Sequence, residues 1–147
     1  MLGNLGQLYR HDLSEAYRHL PNPDGTFSNH RLDLFLAGTD PARRAWLITA
    51  AGSLCGFVMT RPADGGTSIS DFFIVRALRR SGVGREAARQ VIATTPGQWS
   101  IAFQSYNPGA QRFWSQVATD AAGDNWAMHD DPPAAGQPPD TWITFRT

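Results

Sequence analysis

The sequence predicts an α/β (α+β) chain in which four helices and six strands share one core. Three observations carry this. Apolar residues recur at helical spacing in four stretches, and β-branched or aromatic runs of strand length occur in six. The two kinds of run are interleaved through the second half of the chain. At 147 residues the chain suits a single domain, 1–147, with a sizeable core and no internal repeat.

Residues 2–20 read as a helix, with Leu2, Leu5, Leu8, Tyr9, Leu13, Ala16, Tyr17 and Leu20 on or near one face. The turn cluster Pro21-Asn22-Pro23-Asp24-Gly25 ends it. A second helix is expected over 29–37, capped by Ser28 or Asn29, with Leu32, Phe35 and Leu36 inward and Gly38 as its stop. Residues 45–49 and 54–61 read as a hairpin around Ala51-Gly52. Pro62-Ala63-Asp64-Gly65-Gly66 is expected to connect that hairpin to a central strand. The strand's Ile69, Phe72, Phe73, Ile74 and Val75 have the composition of a buried one. Beyond Gly84, Ala87, Ala88, Val91 and Ile92 fall at helical spacing until Pro96. Residues 98–104 alternate like a strand. Asn107 then suits an N-cap and Pro108 a first helical turn, with Ala110, Phe113, Trp114 and Val117 forming one apolar face. Two short strands, 123–129 and 142–146, follow, and the Pro-, Ala- and Asp-rich connection 130–140 is expected to be a surface loop.

The formal net charge is zero, so nothing global favours nucleic acid or an anionic membrane. All thirteen basic residues are Arg, and Arg76, Arg79, Arg80, Arg85 and Arg89 lie within fourteen positions. That cluster suits a nucleic-acid patch or a local phosphate site, and the second accounts for it more cheaply. The single Cys55 excludes an intrachain disulfide and fits a reducing compartment. With no signal peptide and no long apolar run, a cytoplasmic location and no membrane are expected. The four histidines and one cysteine lack ligand spacing, so no metal is expected.

Chemistry is concentrated between the central strand and the helix after it, in Arg79-Arg80-Ser81-Gly82-Val83-Gly84. Two glycines let the backbone approach a ligand closely, and a helix start points free N–H groups outward. Such a start favours anions, to which Arg79, Arg80 and Arg85 add charge. The turn lacks the G-x-x-x-x-G-K-[ST] phosphate loop and the dinucleotide-binding glycine pattern. It reads R-x-x-G-x-G between a strand and a helix, and Asn107-Pro108-Gly109-Ala110-Gln111-Arg112-Phe113-Trp114 reads N-x-x-A-x-x-F-[YW] at the start of the last helix. These two motifs, in this order, resemble the signatures of the GNAT superfamily of acyl-coenzyme A-dependent N-acyltransferases.

The resemblance implies a GNAT-like mixed sheet of six or seven strands flanked by about four helices. The family usually begins with a strand before its first helix, and here the helix starts almost at Met1; either that strand is absent, which would leave a sheet edge open for a homodimer, or the chain is a shortened version of a longer product. It implies acetyl-CoA as co-substrate, held by main-chain groups of Phe73, Ile74 and Val75 and by the turn Arg79, Arg80, Ser81, Gly82, Val83, Gly84 and Arg85, with Asn107 and Phe113 contributing from the last helix. An alanine at Gly82 or Gly84 is expected to weaken binding by setting a Cβ in the pyrophosphate's path. The implied reaction is direct attack by a primary amine of a small molecule, with a backbone N–H stabilising the developing oxyanion.

The family often uses a Glu base, but only Glu15 and Glu86 are present and neither is on a central strand. Asp71 is the acid the central strand offers, and a solvated carboxylate or an Arg partner is its plainer reading. Tyr9, His11, Asp12 and Glu15 cluster in the first helix, where His11 is a second base candidate. Many members place a Tyr where this chain has Trp114, so Tyr106 or Ser115 is left as the acid. Cys55 as an acyl carrier is a rival to direct attack, though a lone Cys in an apolar strand is usually a small core residue. The alternatives to a transferase are a non-catalytic coenzyme A-binding sensor or interaction module, and a nucleic-acid binder using Arg76 to Arg89.

Overall fold

The structure, a computed structural model, describes residues 1–132, 136 and 138–147. Helix α1 (Leu2–Tyr17) stops short of Leu20 because Arg18 turns left-handed (φ 55°). Helix α2 (His30–Leu36) starts at Asn29, whose side chain accepts the Leu32 N–H at 3.2 Å. Strands β1 (Arg44–Ala50) and β2 (Ser53–Ala63) join through Ala51-Gly52, both at positive φ as a tight hairpin turn requires. The expected connection 62–66 is mostly strand. Ala63 pairs with Gly66 across a two-residue Asp64-Gly65 turn, so β2 runs straight into β3 (Gly66–Ile74). A 3₁₀ turn (Arg76–Leu78) leads to α3 (Val83–Ala93), β4 (Gln98–Gln104), α4 (Pro108–Ala122), β5 (Trp126–Asp130) and β6 (Asp140–Arg146). β5 begins later than expected because Gly123, at φ 62°, caps α4 by donating its N–H to Thr119. The expected surface loop shrinks, since Asp130 and Asp140 are strand residues; its residues 133–135 and 137 lie outside the described residues.

The six strands form one mixed sheet in the order β1-β2-β3-β4-β6-β5, parallel only between β3 and β4. One face packs on α3 and α4 through Val58, Ile69, Ile74, Ala88, Ile92, Trp99, Trp114 and Ile143. The opposite face packs on α1 and α2 through Leu5, Leu32, Phe57, Met59 and Phe73. Cys55 is buried in the first core.

Two irregularities position the site. On β2, Met59 pairs with Asp71 but Thr60 pairs with Ile69, so Ser70 is one residue too many on β3. Such a bulge bends the strand and re-aims its side chains. The parallel ladder to β4 ends at the same place, with Ile69 opposite Ile101 as its last pair. Beyond that point Ser70 to Ile74 of β3 and Ala102 to Gln104 of β4 do not pair with each other, and the sheet has a gap.

Helix α1 is tied to the chain just past this gap. Arg76 Nε donates to Asp12 Oδ1 at 3.0 Å, and Arg79 pairs with Asp12 Oδ2. Burial by itself would raise the Asp12 pKa, but the hydrogen bonds from Arg79 and Arg76 outweigh it and hold the carboxyl below its ordinary value. Because the folded value is depressed, the stability from this cluster is present above the unfolded pKa and lost as pH falls through the folded one. Asp12→Asn should therefore cost about 1 kcal/mol at neutral pH, the arginines being largely exposed. The cost should vanish in acid, which urea unfolding across a pH series would show. A second expectation concerns Gly56, where an added Cβ would stand 2.1 Å from the Phe73 carbonyl oxygen. That oxygen belongs to the neighbouring strand and cannot yield without opening the ladder. Gly56→Ala should lose about 1–3 kcal/mol in the same unfolding assay.

Candidate active site

The gap has a directional lining. Val75 donates its N–H to the Cys55 carbonyl on β2 at 2.9 Å. Successive residues of a strand turn their polar groups to alternate edges, so Phe73 also faces β2 while Ile74 faces β4. Of the three main-chain positions expected to meet the coenzyme, only Ile74 presents its groups to the gap. Its carbonyl accepts Arg79 Nε at 2.8 Å, and its N–H has no ladder partner. The side chains of Phe73, Ile74 and Val75 are packing elements. Phe73 lies on the α1 face, 5.9 Å from the Phe57 ring, and Ile74 lies under α3.

The turn into α3 is bare. Gly82 is the N-cap at φ 89°, no side chain caps the helix, and Ser81 Oγ donates backwards to the Leu78 carbonyl at 2.6 Å. The N–H groups of the first turn are therefore open to an anion, with Val83 half-buried against the core beneath them. The two glycines differ in purpose. Around Gly82 an added Cβ would meet nothing within 4 Å, so its requirement is the left-handed backbone. At Gly84 an added Cβ would point inward to ordinary contacts of 3.4 Å with Ile74 and Phe113, away from any ligand over the turn. This corrects the expectation that both glycines clear the pyrophosphate's path.

The arginines are less free than their sequence clustering suggests. Asp12 holds Arg76 and Arg79, Asp120 holds Arg85 at 2.5 and 2.6 Å, and Glu86 holds Arg89 at 2.6 Å. Arg80, exposed and at φ 65°, makes no ion pair among the described residues. On α4, Asn107 spends its side-chain oxygen on the Ala110 N–H at 3.0 Å. Phe113 joins Phe72 and Trp114 in an aromatic group with centroids 4.7 to 5.3 Å apart. Trp114 is buried there as core. A groove of about 310 Å³ between α3 and α4, beside Arg85, Arg89 and Asp120, contains none of the gap residues.

Titratable groups gather on the opposite, α1–α2 face. The Asp71 side chain is only 6% exposed and sits 3.5 Å from Arg31 of α2. Its second oxygen, Oδ2, is buried with no hydrogen-bond partner among the described residues. Burial raises the Asp71 pKa, with Arg31 opposing. Tyr9 lies beside it, and burial together with the Asp71 charge pushes that phenol well above its ordinary value. Tyr106 is exposed just past β4, where burial, Tyr17 and Asp140 raise its phenol pKa. Gln104 of β4 donates to the Tyr17 hydroxyl at 3.0 Å and pairs across the ladder with Asp140. His11 and Glu15 are exposed on α1 and join neither group.

Arg31, Tyr17, Gln104 and Asp140 escaped the sequence reading, since each reaches the site from an element with no motif of its own. Ser115 is half-buried on α4. Among the described residues no group of three or more His, Cys, Asp or Glu is placed to hold a metal ion, and no helix is long and apolar enough to cross a membrane.

A sequence model described as the acetyltransferase (GNAT) family matches residues 5–118. No curated protein sequence matches significantly. Among solved structures, an acetyltransferase from Thermus thermophilus superposes with a TM-score of 0.66 at 20% identity, over 100% of this chain and 93% of that one. A GNAT acetyltransferase from Elizabethkingia anophelis with acetyl-CoA bound gives 0.63 at 12% identity, over 82% and 84%. A variant of the spermidine N-acetyltransferase from Vibrio cholerae gives 0.63 at 13%, over 99% and 91%. These likenesses show a shared fold, and the family match spans most of the chain: it belongs to the acetyltransferase (GNAT) family and is an acyltransferase.

Proposed function

We propose that the protein transfers the acetyl group of acetyl-CoA to a primary amine of a small molecule by direct attack. The observation that carries this is the β3–β4 gap itself, which joins two chemically different faces. On one side stands the uncapped start of α3, suited to a pyrophosphate; on the other stand Asp71, Tyr9 and Tyr106. What supports the coenzyme is that the space over Gly82 is open and that no side chain caps the first-turn N–H groups of α3. The neighbour from Elizabethkingia anophelis is described with acetyl-CoA bound, and the Vibrio cholerae neighbour as acting on spermidine. Both support the reading.

In this account Gly82, Val83, Gly84 and Arg85 offer main-chain N–H groups to the pyrophosphate, with Arg80 adding charge and Arg79 and Ser81 shaping the turn. Phe113 closes the packing behind Ile74, and Asn107 fixes the start of α4. The Ile74 N–H faces the thioester carbonyl and stabilises the charge that develops there. The amine nitrogen forms the new C–N bond as the C–S bond breaks. Its proton passes to Asp71, whose unpartnered Oδ2 is short of one hydrogen bond, directly or through one water. The departing thiolate takes a proton from Tyr106, a phenol that is protonated at neutral pH. A base must be ionised, so the raised Asp71 pKa places the acid limb of kcat/KM above the ordinary carboxylate value of about 3.9.

Isothermal titration with acetyl-CoA, with ATP and NAD as controls, tests the coenzyme half. Selective binding near micromolar, about −8 kcal/mol, is expected. Gly82→Ala should weaken it about tenfold, because alanine resists the left-handed backbone by roughly 1–2 kcal/mol; Gly84→Ala should leave it within about twofold. Equal binding of ATP, or full affinity in Gly82→Ala, would count against the cradle. For the catalytic half, Asp71→Asn should keep acetyl-CoA affinity and cut kcat at least tenfold. A parent-like pH profile in that variant would remove Asp71 from the role of base.

A further inference from the structure

We propose that Arg31 is a positioning residue for the transfer: from helix α2 it holds both the bulge of β3 and the charge of Asp71. This rests on the reading of Asp71 as the base. One nitrogen, Nη1, makes both contacts, donating to the Ser70 carbonyl at 2.9 Å and standing 3.5 Å from Asp71 Oδ1. Ser70 is the supernumerary residue of β3 and the first one past the ladder to β4. Its carbonyl direction is therefore tied to how the strand leaves the sheet, and with it the aim of the Ile74 N–H further along.

Arg31 is well placed to act as a latch. The next residue, Leu32, is 3% exposed and seated in a notch of α1 at Gly6, where an added Cβ would come within 2.4 Å of Leu32 Cδ2. The Asn29 cap fixes the start of the same helix. The Arg31 side chain is 57% exposed, so it reaches inward from solvent to the Asp71 side chain, which is 6% exposed. The groups that act on Asp71 come from three elements: Tyr9 from α1, Arg31 from α2 and Ser70 from β3 itself; Tyr17 acts on Tyr9, and Arg31 also influences Asp140 of β6. Among the described residues Arg31 is the only cation of this group, and it is the first of the influences favouring the ionised state of Asp71, ahead of the hydrogen bonds from Tyr9 and Ser70. Anything that lifts α2 would loosen the bulge and neutralise the base together.

The test compares Arg31→Met and Arg31→Lys with the parent in two assays. The first follows the Asp71 side-chain carboxyl by ¹³C NMR against pH, without any acceptor. The second measures thiol release from acetyl-CoA with spermidine as the probe amine, alongside acetyl-CoA affinity by titration. Arg31→Met should raise the Asp71 midpoint by about one pH unit or more, since a nearby opposite charge typically shifts a carboxyl by 1–3 units. It should also lower kcat at least tenfold and leave acetyl-CoA affinity within about twofold. Arg31→Lys should keep most of the midpoint but recover kcat only in part, because an ammonium lacks the planar fork. If Arg31→Met does not fold, the lysine variant decides alone: full parental kcat overturns the proposal. An unmoved midpoint in Arg31→Met overturns it as well. A shifted midpoint combined with a fully active Asp71→Asn would instead overturn the base assignment, so the two failures are distinguishable. Without spermidine turnover in the parent, thiol release to water serves as the rate.

Discussion

The molecule depends on the point where β3 leaves β4. A parallel ladder normally satisfies the facing edges of both strands, and breaking one exposes polar backbone that must find another partner. Here the ladder stops after Ile69 and Ile101, and the extra residue Ser70 lets β3 stay paired with β2 while turning away from β4. The bulge also changes which face each side chain takes. Ile69, Phe72 and Ile74 belong to the α3–α4 core, whereas Asp71 and Phe73 belong to the α1–α2 face. A buried carboxylate and an N–H without a ladder partner in β4 thus lie within four residues of a single strand.

The electrostatics around that opening are local. Four of the five clustered arginines are matched by Asp12, Asp120 and Glu86, and these pairs lie at the surface. Exposed pairs are worth little, so they neither rigidify the α3 turn greatly nor prevent an incoming phosphate from competing for the same guanidinium groups. What cannot be screened away is the helix start itself, which among the described residues no side chain caps. The cluster that looked like a basic patch in one dimension is, Arg80 apart, a set of ion pairs in three, beside a helix start that no side chain caps.

The legible parts of the sequence were those whose cause is local. The Gly82 turn, the Asn107 cap and the Ala51-Gly52 hairpin each follow from a few adjacent residues, and the structure has all three. The Asp64-Gly65 turn is equally local but was hidden by Pro62, which suggested a break where β2 continues. The acceptor face was not legible. Arg31 and Ser70 are 39 positions apart and Arg79 and Asp12 are 67 apart. The bulge at Ser70 is a register between two strands and leaves no mark on either alone. Gly84 was misread for a related reason: its neighbours Ile74 and Phe113 come from a strand and a helix on either side of it in sequence.

The carboxylates Asp12 and Asp71 have opposite thermodynamic signs. Asp12 has a depressed pKa, so its ionised form stabilises the fold at neutral pH and that contribution fades in acid. Asp71 has a raised one, chiefly through burial, so its contribution is fully present below the unfolded pKa and is lost as pH rises through the folded value. At neutral pH Asp71 therefore opposes folding, and Arg31, Tyr9 and Ser70 together offset only part of the cost of its burial. A buried, half-satisfied carboxylate is a poor choice for holding a strand in place.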